Sequence, residues 1–349
     1  MKKLFVNAGG GYEVIIEENL LSSFGEHIKK HTSAKKVCVV SDTNVFPVYG
    51  DLVIEQLRAN GFETVSYVIS AGEKSKTPKT VVSLAEFLAE NEFTRKDLVV
   101  TLGGGVCGDI AGFAAAVYLR GIDYIQLPTS LLAQLDSSVG GKTAVNLPQG
   151  KNLIGAFHQP RLVLIDPLTL KTLPDSCFAE GIAEAIKTAC IKSASLFEKL
   201  EKENAKEIIE DIIFECVSIK AEIVENDEKE KGERALLNFG HTSGHAIERL
   251  NGFENISHGE AVAIGMLIAC TAGEQNGITP LGTAQRISAV LKKYNLKTKD
   301  SHSLLQTVNA MNSDKKREGS GVKLIMLNEI GSADIKEIEY DGLKDFFGV

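Results

Sequence analysis

Short apolar runs alternate with segments of helical periodicity over the first half of the chain. Residues 6–17 set Tyr12, Val14 and Ile16 against Glu13 and Ile15 around a Gly-Gly-Gly turn, which predicts edge β structure. Leu20, Leu21, Phe24 and Ile28 have helical spacing over 20–30. Residues 37–41 read as an apolar strand ending in Ser41-Asp42-Thr43-Asn44, and 52–60 as a helix closed by Gly61. A further strand, 64–69, runs into Ala71-Gly72-Glu73-Lys74-Ser75-Lys76, and Val81, Leu84, Ala85 and Leu88 share one helix face over 81–88. The strand 99–102 stops at Gly103-Gly104-Gly105, and a helix of small residues is expected to begin near Asp109. Two short apolar strands, 124–127 and 162–165, complete the series. Strands alternating with helices imply an α/β, Rossmann-like domain with a mostly parallel sheet covered on both faces.

Beyond Leu173-Pro174-Asp175 the rhythm changes. Amphipathic helices are expected over 178–190, 196–203, 208–225, 241–250, 259–274 and 284–293. Only 322–327 and 334–338 read as strands, joined by Asn328-Glu329-Ile330-Gly331. The chain is therefore divided into an α/β domain, 1–174, and a mostly helical domain, 175–349. The charge run 225–231 reads as a solvated face or loop.

A length of 349 residues suits two domains, and 44% hydrophobic with 24% charged residues is ordinary for a soluble globular protein. The net charge of −8 lends a nucleic-acid partner no electrostatic support. No apolar run reaches membrane-spanning length, and Met1-Lys2-Lys3-Leu4-Phe5-Val6-Asn7 does not read as a signal peptide. The 6 cysteines make no CxxC pair and read as reduced core thiols of a cytoplasmic protein.

Candidate chemistry gathers in a few places. Glycines after a buried strand let the backbone approach a ligand closely, and the amides of the following helix attract phosphate. A plain tight turn explains such glycines equally well. Ligands on parallel sheets bind beyond the carboxyl ends of the strands. Three ends carry suitable residues: Asp42 and Asn44, Glu73 and Lys76, and the glycine turn. His241 and His245, four apart, share a helix face, and His258 opens another helix. Thr242 stands where a zinc protease of the HExxH type has its glutamate, so that mechanism lacks its base. Glu184 and Lys187 share a face of an apolar helix. Two histidines and a carboxylate make an open zinc set; a capping histidine and a surface Glu/Lys pair are the plainer alternative. The stretch from Pro128 to Lys142 packs Thr129, Ser130, Asp136, two hydroxyls and two glycines into an apolar region. With Lys151, Lys220, Arg234, Lys315, Lys316 and Arg317, it suggests an anionic substrate.

Several stretches are similar to 3-dehydroquinate synthases, in family order over nearly the whole chain. They are Gly103-Gly104-Gly105-Val106-Cys107-Gly108-Asp109, Tyr118-Leu119-Arg120-Gly121-Ile122, Pro128 through Lys142, and Gly150-Lys151-Asn152-Leu153-Ile154-Gly155-Ala156-Phe157. Ala183-Glu184-Ala185-Ile186-Lys187, Leu237 through His245, and His258-Gly259-Glu260-Ala261-Val262-Ala263 follow. Ser243 departs from the pattern, where the family is expected to carry a bulky Phe.

The resemblance implies a lyase that uses NAD catalytically with one divalent metal, zinc or cobalt. Its substrate would be 3-deoxy-D-arabino-heptulosonate 7-phosphate. A ring hydroxyl is oxidised, phosphate is eliminated, the ketone is reduced again, and the opened ring closes by an aldol step. The implied metal ligands are Glu184, His241 and His258, with His245 as a proton-moving or substrate-binding neighbour. Asp136, Lys142, Asn152, Lys187, Lys220, Arg234 and Asn238 resemble the substrate-binding set, joined by one of Lys315 and Lys316. Arg120 resembles an arginine that reaches the partner subunit's phosphate site in a homodimer. The implied NAD contacts are Asp42, Asn44, Glu73, Lys76, Gly103, Gly104, Gly105, Val106, Cys107, Gly108, Asp109, Thr129, Ser130, Lys142, Lys151, Thr169 and Thr172. A sister sugar-phosphate cyclase, a metal-dependent polyol dehydrogenase and a non-catalytic nucleotide-binding module are the competing readings.

Overall fold

A computed structural model describes residues 1–253, 255–312 and 321–349. The chain forms two compact units, Met1–Pro174 with Lys220–Glu228, and Asp175–Ile219 with Lys229–Val349. A single cut at residue 174 does not capture the return of Lys220–Glu228 to the first unit. That return has a local cause. The Lys220 ammonium donates to the Asp136 carbonyl at 2.6 Å, and Glu225 accepts the Asn7 N–H at 2.8 Å.

The first unit is built on β1 (Lys2–Val6), β2 (Tyr12–Ile16), α1 (Phe24–His31), β3 (Lys36–Asp42), α2 (Phe46–Ala59), β4 (Glu63–Ile69), α3 (Pro78–Glu90), β5 (Leu98–Gly103), α4 (Gly105–Val117), β6 (Asp123–Pro128), the hairpin β7 (Lys142–Leu147) and β8 (Gly150–Phe157), and β9 (Leu162–Ile165). Seven strands make one sheet in the order β1-β2-β9-β6-β5-β3-β4, parallel except for the β1–β2 pair. Successive side chains on a strand point to opposite faces. Val37 and Val39 accordingly pack with Phe24, Val53 and Leu57, while Cys38 and Val40 pack with Leu84, Ile110 and Ala114. Burying each large apolar side chain stabilises the unit by about 1.5–3 kcal/mol. Register brings Ser41 beside Leu102 and Gly103 beside Pro128, so the carboxyl ends of β3, β5 and β6 stand level.

Two expectations change here. The helix after β5 starts at Gly105, not near Asp109, so the glycines are its cap and first turn. The polar stretch ending at Lys142, for which no element is expected, takes up regular structure. Residues Ala133–Ser137 form a π-helical turn, and Lys142 opens a hairpin whose strands the sequence did not announce. Leu153, Ile154 and Phe157 on β8 are exposed, so period-two patterning is missing there.

The second unit holds α5 (Asp175–Lys192), α6 (Ala194–Lys202), the start of α7 (Ile209–Asn226), α8 (His241–Leu250), α9 (His258–Gln275), α10 (Thr283–Lys293), α11 (Leu304–Asn312), the hairpin β10 (Gly321–Glu329) and β11 (Ser332–Glu339), and α12 (Leu343–Phe347). Helices α5 and α9 are not amphipathic, as their spacing had suggested, but buried over most of their length. Residues from Gly181 to Ile191 on α5, and Gly259 with Ala261 to Met266 on α9, are buried. Leu324 and Met326 of β10 pack with Val308, Met311, Leu343 and Phe347. No helix among the described residues is long and apolar enough to cross a membrane.

Candidate active site

In the second unit, helix packing builds a cluster of histidines and carboxylates. Glu184 and Lys187 are one turn apart on α5, Lys187 Nζ 2.7 Å from Glu184 Oε2, each side chain only 2% exposed. The pair is therefore buried rather than a surface pair. His241 and His258 are the first residues of α8 and α9. Those helices touch closely: a Cβ on Gly265 would lie 2.0 Å from the Gly240 carbonyl oxygen. Ser257 and Glu260 close a capping box that sets where α9 begins, and hence where His258 stands.

As a result, Nε2 of His241 and Nε2 of His258 each lie 3.5 Å from Glu184 Oε1. One donor atom from each of the three residues falls within 4.8 Å of the others, close enough to share a cation. Burial, with Lys187 and the other histidines nearby, pushes the His241 imidazole down to about 3 against the pull of Glu184. Neutral imidazole is the ligating form. Burial also opposes charge on His258, but hydrogen bonds to Glu184 and Glu248 outweigh it and raise that imidazole to about 10. A metal bound here would have to displace that proton, because only the neutral imidazole ligates.

Glu248 was missed in the sequence. It is buried, with Oε1 3.4 Å from His258 Nδ1. The signal was available, because His241, His245 and Glu248 are spaced i, i+4 and i+7 along α8. A carboxylate on the second ring nitrogen holds a ligating histidine in one tautomer. His245 is exposed, its ring 5.5 Å from His241 and 6.2 Å from His258 between centroids.

In the first unit, the strand ends carry a second constellation. Gly104 and Gly105 open α4 without a side-chain cap. A Cβ on Gly104 would lie 3.1 Å from Ser130 Oγ, and one on Gly105 3.0 Å from Ser137 Oγ. The bare backbone thus leaves a cradle at amides that have no partner within the helix. Asp42 Oδ1 accepts from the Asn44 and Val45 N–H groups at 2.8 and 3.1 Å. Lys76 Nζ meets Asp109 Oδ2 at 2.5 Å and donates to Asn152 Oδ1 at 2.7 Å. Burial raises the Asp109 carboxyl above its ordinary range even with Lys76 beside it.

Residues 66–180 match the family described as 3-dehydroquinate synthase N-terminal, and 181–317 the one described as 3-dehydroquinate synthase C-terminal. A 3-dehydroquinate synthase of Clostridium perfringens is 47% identical over 355 residues, covering 99% of this chain and 100% of that one. One from Clostridium acetobutylicum is 45% identical, covering 97% of each. The chain belongs to the 3-dehydroquinate synthase family. It is a carbon–oxygen lyase of the shikimate pathway, which leads to the aromatic amino acids.

Solved structures of sister cyclases resemble this synthase over nearly all its length. A 2-deoxy-scyllo-inosose synthase complexed with carbaglucose-6-phosphate, NAD+ and Co2+ has a TM-score of 0.88 at 26% identity, covering 99% of each chain. A 2-epi-5-epi-valiolone synthase from Streptomyces hygroscopicus with NAD+ and Zn2+ bound has a TM-score of 0.87 at 26% identity, covering 96% of this chain and 95% of that one. An iron-containing alcohol dehydrogenase, 15% identical with a TM-score of 0.64, shares the fold.

The remaining sequence candidates of the synthase fall as follows. Gly103 ends β5, and Val106, Cys107 and Gly108 lie in the first turns of α4. The Cys107 thiol is buried, donates to the Val40 carbonyl at 3.3 Å and is pushed up by burial, which makes it a structural thiol. Thr129 donates its N–H to the Gly103 carbonyl at 3.0 Å. Asp136 pairs with Lys220. Thr169 is buried, its hydroxyl donating to the Asp166 carbonyl and accepting from Gln134, and Thr172 meets the Tyr49 hydroxyl at 2.7 Å. Lys142 is exposed, and Lys151 lies on β8. Arg234 is buried in the 3-10 turn Glu233–Asn238, and Asn238 donates to Glu230 at 3.0 Å. Glu228 accepts from Gln159, so with Glu225 and Glu230 the charge run is more than a solvated face. Arg120 is exposed with φ 68°. Ser243 is buried with Oγ 3.6 Å from Met311 Sδ, so methionine fills the space beside the small side chain. Lys315, Lys316 and Arg317 lie outside the described residues.

Proposed function

We propose that the chain converts 3-deoxy-D-arabino-heptulosonate 7-phosphate to 3-dehydroquinate and phosphate, using NAD and one zinc or cobalt ion. The convergence of Glu184, His241 and His258 within 4.8 Å carries this reading. One carboxylate and two imidazoles match a catalytic zinc set that leaves a position for substrate. When bound, such a cation polarises a substrate hydroxyl and eases loss of its proton. The glycine cradle would hold NAD, which would supply a reversible hydride acceptor. Asp42, Glu73, Lys76, Asp109, Thr129, Ser130 and Lys151 surround it in this reading.

The chain's own residues supply binding and proton transfer. Lys142, Asn152, Lys187, Lys220, Arg234 and Asn238, with Asp136, hold the hydroxyls, carboxylate and phosphate of the substrate through charge-assisted hydrogen bonds. His245, exposed beside the two ligating histidines, moves a proton between substrate and water. Arg120 serves a second copy in a homodimer. Exposed Leu119, Leu153, Ile154 and Phe157 on the same unit offer apolar surface for that copy to cover. The cytoplasm suits its six free cysteines, five of them buried.

Purified protein with NAD, zinc and the heptulosonate phosphate should release phosphate and dehydroquinate in equal amounts, without NADH absorbance comparable to product. Stoichiometric NADH would instead establish a polyol dehydrogenase.

A further inference from the structure

We propose that Asn146 is a positioning residue that sets the NAD-side and substrate-side groups of the first unit against one another. The hairpin β7–β8 is irregular at this point. Val145 pairs with Ile154 and Leu147 with Gly150, so Asn146 alone opposes Lys151, Asn152 and Leu153. A bulge of this kind re-aims side chains beside active sites. Here it throws Asn152 into the left-handed region, φ 55°, which a non-glycine residue holds only when its surroundings enforce it.

The Asn146 side chain does the enforcing. Its Oδ1 accepts the Asn152 N–H at 2.9 Å, and its Nδ2 donates to Glu73 Oε1 at 2.7 Å. Its own N–H donates to the Lys76 carbonyl at 2.9 Å, which pins the amide between the two segments. Lys76 completes the ring through Asn152 and Asp109. Glu73, Lys76 and Asp109 are assigned to NAD, and Asn152 to the sugar phosphate, so the inference rests on the function proposed above. One neutral amide with a donor and an acceptor at the same site links the two sets. A hydrophobic residue could not do so, and the amide touches neither ligand in this reading.

The test uses the zinc-loaded enzyme and its Asn146→Ala variant. Losing a hydrogen bond to a charged partner is worth about tenfold or more. The KM values for NAD and for the heptulosonate phosphate should each rise about tenfold, with kcat within threefold of wild type. In a Glu73→Ala background, Asn146→Ala should add less than twofold to the KM for NAD while still raising that for the sugar phosphate. A merely structural role would lower the melting temperature and the active fraction without this split. The proposal is overturned if the folded variant keeps both KM values within twofold of wild type, or if the effects of the two substitutions on NAD simply multiply. A wild-type enzyme that turns nothing over overturns the proposed function instead.

Discussion

Replacing Lys187 with Met removes one charge from a pair that water does not reach. The ammonium lies 2.7 Å from Glu184 Oε2, and both side chains are 2% exposed. Met is of similar length, so lost packing should contribute less than about 1.5 kcal/mol. Leaving the other member of a buried pair uncompensated costs about 3–5 kcal/mol. In chelator, that loss should lower the melting temperature of the second unit by roughly 6–20 °C, at about 2–4 °C per kcal/mol for a unit of this size. In excess zinc, the cation takes over compensation of Glu184, and the gap to wild type should shrink by more than half. Catalytic efficiency should still fall about tenfold to hundredfold, because the substrate loses a charged contact. Melting curves of both proteins in chelator and in zinc, with steady-state kinetics, decide the matter. An equal melting shift in both conditions would refute the idea that Lys187 and a metal compensate the same carboxylate.

Other outcomes follow from the same geometry. His258→Ala should stay folded but retain less than stoichiometric zinc after dialysis, measured by elemental analysis, and should lose turnover. Glu248→Gln should weaken zinc binding about tenfold to hundredfold in competition with a chelator, since its carboxylate orients His258. Asp166 accepts the N–H groups of Asn19, Leu21 and Leu168 at 3.2, 3.1 and 3.0 Å while buried, so Asp166→Ala should cost about 2–5 kcal/mol in denaturant unfolding. Burial would raise the Asp300 carboxyl, but hydrogen bonds from His302 and Asn251 outweigh it and hold it below its ordinary range. Its contribution is therefore complete above about pH 3.9 and fades as pH falls through the folded value, so the stability gap to Asp300→Asn should close in acid.

Much of this protein is legible in one dimension. Continuous apolar runs such as Val37 to Ser41 and 99–102 announced buried parallel strands, because each carries apolar side chains for both faces of the sheet. The i, i+4 spacing of His241 and His245, and the i, i+3 spacing of Glu184 and Lys187, placed chemistry on helix faces without any tertiary knowledge. Resemblance over whole motifs then supplied the activity, and relatives at 45–47% identity agree with it.

Tertiary structure decided what spacing could not. That Glu184 faces His241 and His258 depends on three helices meeting, which requires the close approach at Gly240 and Gly265. That Lys187 is buried follows from α5 being covered on all sides, where local periodicity allowed a surface pair. The hairpin β7–β8 was invisible because its outer side chains are exposed and its bulge breaks the alternation by which strands are recognised. The first turn of the helix after β5 has glycine at 104 and 105 because Ser130 and Ser137 leave little room for a Cβ there, a constraint from residues more than twenty positions away that no local propensity contains.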